Sequence, residues 1–375
     1  MKFIHTADWH LGKVLGEFSL LEDQIFAMNG LLELLRREGA DALVIAGDVY
    51  DRSVPPAAAV TAFDDFVRAA VGMGVKVLAI AGNHDSPQRL SFANRLVRSE
   101  GYFVEGSCTL PLAQVPVTGH DGVAVTFTLA PFTDRYQLRR LLPEGEYPTY
   151  TDAYRALLEG TPLPAGPNVL VAHGFFAGGE ELVRSDSELS VGTGDLVAAS
   201  ALRGFDYACL GHLHAPQTCG RETARYSGSL LKYSLSEQGQ KKAVAVVEID
   251  AAGAVSVRQE RLPVRRDLAV VRGSFEELAS GALHPPGEDY LYAVIADNEL
   301  VYGAVSRLRA LYPNLLGVKL EARVQGEDLP DLTPQDDRPT DERFAAFYRD
   351  VKGMEPTPGQ METIRALLEK LEGEV

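Results

Sequence analysis

The chain has 375 residues, 46% of them hydrophobic and 23% charged, enough for two or three domains with cores of their own. Its three cysteines (Cys108, Cys209, Cys219) are odd in number and form no C-x-x-C pair, so nothing points to a thiolate zinc site or a disulfide framework. A net charge of −16 argues against a broad basic face for nucleic acid, while a local patch or bound divalent cations could still place positive charge against phosphate.

No apolar leader precedes the first strand and no run is long enough to cross a membrane, so the expectation is a cytoplasmic protein without membrane spans. That first strand is short and apolar, and it ends in Asp8-Trp-His10. Residues two apart share a face of a strand, so a carboxylate and an imidazole can converge just beyond its end. From Leu20 to Arg37 an apolar stripe (Leu20, Leu21, Ile25, Leu31, Leu32, Leu34, Leu35) predicts a helix ended by Gly39. Strand-like Ala42–Gly47 then delivers Asp48, a helix is expected over Ala57–Val71, and strand-like Lys76–Gly82 runs into Asn83-His84-Asp85. This β-α-β-α-β order with continuous apolar strands predicts parallel pairing under helices, with ligands beyond the carboxyl ends of the strands.

The middle of the chain alternates at Ala124–Ala130 and is helical in pattern at Asp134–Leu142 and Thr151–Leu158. Asn168–Ala172 leads to His173-Gly174, and Asp206–Gly211 to His212-Leu-His214. Strands near Ala224–Ser229 and Ala243–Ile249 are expected to finish a second sheet. From Asp267 a small α+β unit follows, with strands at Asp267–Gly273, Tyr290–Ala296 and Leu315–Leu320 and helices at Phe275–Ala279 and Val301–Leu311. Acidic, proline-bearing Gly326–Pro339 reads as a linker. Two short amphipathic helices end the chain, one presenting Phe344, Phe347, Tyr348 and Val351, the other Met361, Ile364, Leu367, Leu368 and Leu371. The expected domains are therefore 1–265, 266–325, a linker at 326–339, and a helical segment at 340–375.

Collected, the strand-end residues are Asp8, His10, Asp48, Asn83, His84, His173, His212 and His214, which include five of the eight histidines. Oxygen and imidazole donors without thiolate suit Mn²⁺, Fe or Zn²⁺. A central carboxylate can bridge two ions, and Asp48 is the natural candidate. Two ions about 3.5–4 Å apart would lower the pKa of a bridging water towards about 7 and clamp the oxygens of a phosphoester. His84, beside a ligand position, is then free to protonate the leaving oxygen or to bind phosphate. Glycines 47, 82, 174 and 211 would let the chain turn tightly at these strand ends. His5 lies in the opposite strand phase and reads as core; Asp51, Arg52 and Asp85 read as residues that orient ligands, and His120 and His284 as exposed.

Asp8-x-His10, Gly47-Asp48-x-x-Asp51-Arg52, Gly82-Asn83-His84-Asp85, His173-Gly174 and Gly211-His212-x-His214 resemble the signature of the calcineurin-like metallophosphoesterases. More narrowly, His5-Thr-Ala-Asp8-Trp-His10-Leu-Gly12, Ser227-Gly-Ser229 and the C-terminal tail resemble that family's bacterial DNA-end-processing nucleases. The resemblance implies a two-sheet αββα sandwich, a small α+β capping domain that helps read DNA shape, and a C-terminal two-helix segment. It implies two Mn²⁺, one held by Asp8, His10 and His214 and the other by Asn83, His173 and His212, with Asp48 between them and His84 as the catalytic histidine. It also implies endonuclease and 3′→5′ exonuclease activity on DNA, nucleoid association when on DNA, and pairing of two copies, for which helices expected at Ala57–Val71 and Gln88–Ser99 are the candidates. Residues 340–375 are expected to dock on an SMC-family ATPase or, alternatively, to pack on their own subunit. Two other readings stand beside this one. A phosphodiesterase for a small molecule or cyclic nucleotide fits the acidic balance, though it needs neither cap nor tail. A scaffold that has lost catalysis conflicts with the intact ligand set.

Overall fold

The strand-like runs are continuously apolar because each strand is covered on both faces. A computed structural model describes residues 1–179, 181–188, 196–297, 303–321, 341, 344–345, 348–349 and 354–372. Two six-stranded sheets stack in it. The first runs in the order Val255–Glu260, Val244–Ile249, Lys2–Thr6, Ala42–Ala46, Lys76–Ile80, Tyr102–Glu105. The second runs Gln217–Thr218, Ala224–Tyr226, Tyr207–Gly211, Asn168–His173, Ala124–Ala130, Ala113–Thr118. Parallel pairing joins the strands from Lys2–Thr6 to Tyr102–Glu105 in the first sheet and from Ala224–Tyr226 to Ala124–Ala130 in the second. Antiparallel strands close the edges.

Alternation along Ala42–Ala46 shows how the layers form. Leu43 and Ile45 face the helices Leu21–Glu38 and Ala57–Gly72, whereas Ala42, Val44 and Ala46 face the other sheet. Leu170 and Ala172 likewise meet the helical layer of Arg135–Leu141 and Tyr150–Glu159, while Val169 and Val171 join the space between sheets. Phe3 crosses that space edge-on to Phe127 and Tyr207, at centroid distances of 5.3 and 5.9 Å. The result is an αββα sandwich, in which both sheets deliver the carboxyl ends of their central strands to one edge.

Three expectations need correction. Val244–Ile249 does not finish the second sheet; it returns to the first and pairs antiparallel with Lys2–His5. Its apolar run is compatible with either sheet, so the partner is set by the return of the chain and not by local pattern. The stripe of the first long helix is also rotated: Ile25 is exposed, while polar Asp23 and Gln24 are buried. Those two residues are drawn inward by hydrogen bonds. Gln24 Nε2 donates to the Trp9 and His10 carbonyls (3.0 and 2.8 Å), and Asp23 accepts from Tyr290 Oη at 2.7 Å. Finally, Gln88–Ser99 is not one helix, because Ala93 adopts φ 58° and splits it into Pro87–Leu90 and Asn94–Val97.

After the sandwich, strands Leu268–Gly273, Tyr290–Ile295 and Leu315–Leu320 form a parallel three-stranded sheet. Helices Phe275–Ala279 and Ala304–Arg309 pack on it through Phe275, Leu278 and Leu308, and Tyr312 after the second helix joins the same core. Met1–Glu321 is one compact unit and Ala322–Val375 a second. Within the second, a helix spans Pro358–Glu372, Arg365 Nε pairs with Asp341 at 2.9 Å, and Gln360 donates to Tyr348 Oη at 3.1 Å. The linker 326–339, Phe347 and Val351, and the side chains of Leu367, Leu368 and Leu371 lie outside the described residues. No helix among the described residues is long and apolar enough to cross a membrane.

Candidate metal centre

Each central strand stops where its next residues would leave the sandwich, and sharp backbone turns there swing polar side chains inward. Asp8, His10, Asp48 and His212 have φ of 54°, 45°, 49° and 115°. Such left-handed conformations cost about 1–3 kcal/mol each and persist where the surroundings over-determine them. Backbone bonds between neighbouring strand ends provide that restraint: Asp8 N–H donates to the Gly47 carbonyl and His10 N–H to the Asp48 carbonyl, both at 3.0 Å. His212 N–H donates to both Asp8 oxygens, at 2.9 and 3.1 Å.

Crowding explains two of the glycines. At Gly47, φ 89°, a Cβ would stand 2.2 Å from His173 Nδ1. At Gly82 the backbone is not left-handed; the requirement is space, since a Cβ would come within 2.1 Å of Asp48 Oδ1.

All eight strand-end residues converge. Donor atoms of Asp8, His10 and His214 lie within 4.8 Å of one another, as do those of Asp8, Asp48 and His173, and those of His10, Asp48 and His84. Asn83 Oδ1 is 2.9 Å from His173 Nε2 and 3.2 Å from His212 Nδ1. Asp48 sits between the two halves: its Oδ2 is 3.6 Å from His10 Nε2 and 3.4 Å from His173 Nε2. Its Oδ1 accepts from the His84 N–H at 2.8 Å.

Tautomers are set from outside the cluster. His173 Nδ1–H donates to the Ala46 carbonyl at 2.9 Å, which turns Nε2 toward Asn83 and Asp48. His84 Nδ1–H donates to the Asp51 carbonyl at 2.9 Å, leaving Nε2 free. Asp85 accepts from the N–H groups of Val49, Tyr50 and Gly82 at 3.0, 2.9 and 2.9 Å, tying the Asp48 turn to the Asn83 turn. Asp51 is 2.9 Å from Lys13 Nζ and faces His10 at 3.6 Å. Arg52, expected to help orient ligands, is instead exposed and bonds to none of them.

Burial and mutual charge shift the titration of these groups. Asp8, His10, Asp48, His173, His212 and His214 are all buried. Burial alone would raise Asp48, but the surrounding imidazoles, His173 foremost, hold it well below the usual carboxylate range. Burial opposes charge on His173 too, yet the Asp48 carboxylate raises it to about 9. Burial pushes His212 down to about 3 and His214 to about 4, and it lowers His10 and raises Asp8. Both ring nitrogens of His10 lack a hydrogen-bond partner among the described residues, although His10 is fully buried. The unpartnered His10 Nε2 faces Asp48 Oδ2 at 3.6 Å, and His173 Nε2 stands 3.4 Å from the same oxygen, a donor set that fits divalent cations.

Sequence reasoning missed several supports, each a single residue far away in the chain. Glu188 accepts from the His214 N–H at 2.9 Å, and Glu237 Oε1 lies 3.1 Å from His214 Nδ1. Tyr233 packs edge-on to His10 and His214 at 5.5 and 5.7 Å. Only the apolar and Ser/Gly texture of 227–235 hinted at a segment lying against the site. His5 is buried against Tyr207 on the other strand face, 3.3 Å from its hydroxyl, apart from the cluster. His120 is exposed, but His284 is half-buried against Tyr312 and pairs with Asp289 at 3.2 Å.

Residues 1–216 match the sequence model of the calcineurin-like phosphoesterases, and residues 264–352 match that of the type 5 capsule protein repressor C-terminal domain. The SbcD chain of the nuclease SbcCD from Staphylococcus epidermidis is 28% identical over 377 residues, covering 98% of each chain. Among solved structures, TT1561 of Thermus thermophilus aligns with 69% of this chain and 98% of its own, at 14% identity and a TM-score of 0.38. A dimetal phosphatase from Danio rerio aligns with 70% of this chain and 99% of its own, at 14% identity and a TM-score of 0.37. With its first 216 residues matched and every motif of that stretch gathered at one sheet edge, the chain belongs to the calcineurin-like phosphoesterase family.

Proposed function

We propose that this chain is a Mn²⁺-dependent DNA nuclease, endonucleolytic and 3′→5′ exonucleolytic, that processes DNA ends together with an SbcC-like SMC-family ATPase. The observation that supports the chemistry is the convergence of Asp8, His10, Asp48, His173 and His214, joined by Asn83 and His212, beside the half-buried His84, whose Nδ1–H is committed to the Asp51 carbonyl. DNA as substrate is supported by the full-length relation to the staphylococcal SbcCD nuclease.

Asp8, His10 and His214 would hold one ion, Asn83, His173 and His212 the other, and Asp48 Oδ2, facing both halves, would be shared. When bound, two such ions supply Lewis acidity toward the phosphate and acidify the attacking water. The residues do the rest. Asp48 and its neighbours hold the donors in place before substrate arrives, and burial excludes competing water. His84, with Nδ1–H committed to the Asp51 carbonyl, presents Nε2 to the leaving oxygen, where it donates a proton or binds the phosphate.

Residues 340–375 are assigned to docking on the ATPase. Two copies would pair through the segment Gln88–Ser99, where Phe92 and Leu96 stand 82% and 77% exposed. The deciding experiment is incubation of the purified protein with labelled single- and double-stranded DNA, with and without Mn²⁺, beside a small chromogenic phosphodiester. Hydrolysis of the small ester with no attack on either DNA would favour the small-molecule reading.

A further inference from the structure

The segment that carries Tyr233 and Glu237 against the metal centre turns back over a cavity of about 330 Å³. One wall is Leu231–Lys232 and Gln238–Lys242; the other is Arg261–Leu262, Val264 and Arg266–Leu268, with Tyr290 of the three-stranded sheet. Five cations line it, Lys232, Lys241, Lys242, Arg261 and Arg266, against one carboxylate, Asp267. In a chain of net charge −16 this is a local reversal of sign.

Three of the cations are already balanced. Lys232 pairs with Asp267 at 2.8 Å, Lys242 with Glu237 at 2.6 Å, and Arg266 with Asp23 and Glu288 at 3.1 and 3.3 Å. Lys241 and Arg261 are exposed and have no ion-pair partner among the described residues. Two cations without ion-pair partners therefore line the same cavity as apolar Leu20, Leu231, Leu262 and Leu268. The volume is that of a small-ligand site. A cavity that combines apolar side chains with two unpartnered cations suits a nucleotide, whose base has an apolar face and whose phosphates need positive charge. The cleft is also joined to the metal centre, since Lys242 Nζ donates to the His214 carbonyl at 2.8 Å.

We propose that this cleft is a docking subsite for a single DNA strand, with Lys241 and Arg261 on its phosphates and a base against the leucines; the proposal rests on the nuclease reading above. It gives an acidic protein a place to attract a polyanion, separate from the metal donors.

The test uses the full chain with Mn²⁺ and a phosphorothioate single strand that resists cleavage, comparing the unaltered protein with the Lys241→Ala/Arg261→Ala double variant. Log affinity is measured against log salt concentration. Each phosphate contact on a single strand contributes about 0.7 to the slope, so the slope should fall by about 1.4. Hydrolysis of a small chromogenic phosphodiester should stay within about twofold, because neither residue touches the donor cluster. Deoxyadenosine monophosphate should compete for the cleft better than inorganic phosphate. An unchanged slope overturns the cleft while leaving the nuclease reading intact, and so does a variant that also loses small-ester hydrolysis. Equal competition by inorganic phosphate reduces the cleft to a simple anion site and overturns the nucleotide assignment. If the unaltered protein binds no strand at all, the nuclease reading fails and the cleft with it.

Discussion

Glu237 Oε1 lies 3.1 Å from Nδ1 of His214, in a place where Glu237 is 0% and His214 1% exposed. Nδ1–H donating to a carboxylate leaves Nε2 as the nitrogen for a metal, fixes the ring and makes it a stronger ligand. Glu237 also accepts from Lys242 Nζ at 2.6 Å and from the Tyr233 N–H at 3.1 Å, so it joins His214 to the segment beside it. Glu237→Gln keeps the shape and removes the charge. It should weaken binding of one Mn²⁺ about 10–100-fold in calorimetry and spare the other. Glu237→Ala should also lower stability by about 3–5 kcal/mol, because Lys242 would be left buried and unpaired. Unchanged binding of both ions by the glutamine variant would remove Glu237 from this role.

Asp48 faces both halves of the donor cluster with one oxygen. Asp48→Ala should therefore abolish binding of both ions, where Asp8→Ala should mainly weaken one. Calorimetry showing two Mn²⁺ bound normally to the Asp48 variant would sink the shared-ligand assignment.

His84 is half-exposed at the lip of the cluster and its backbone N–H, not its ring, contacts Asp48. His84→Ser should keep both ions and DNA affinity while lowering kcat by about 10²–10⁴-fold. Loss of metal in that variant would make His84 a ligand instead.

A short helix such as Pro358–Glu372 is marginal in water unless its apolar face finds a surface. A chain ended at Pro339 should cleave single-stranded DNA at close to the full rate yet fail to co-purify with the ATPase. Phe344, Phe347, Met361 and Leu368 are the expected anchors of that contact. Retained binding of the ATPase at unchanged affinity would place the docking site elsewhere, and a large drop in melting temperature would show that the tail packs on its own subunit.

The clustered strand-end residues were legible in the sequence because they follow apolar strands closely, and a strand covered on both faces is written as a continuous apolar run. Ala42–Ala46 before Asp48 and Asn168–Ala172 before His173 announce both the sheet and its loaded end. Tertiary structure alone decided the rest. Val246 pairs with Ile4 across most of the chain, and nothing in Val244–Ile249 names that partner. Gln24 and Asp23 turn inward against the pattern of their helix because carbonyls and a tyrosine of distant segments need them. Glu237 and Lys242 form a buried ion pair beside His214, yet each is locally an ordinary charged residue. Periodicity records which faces are buried; a hydrogen bond between residues far apart in the chain leaves no period, so only the folded chain reveals it.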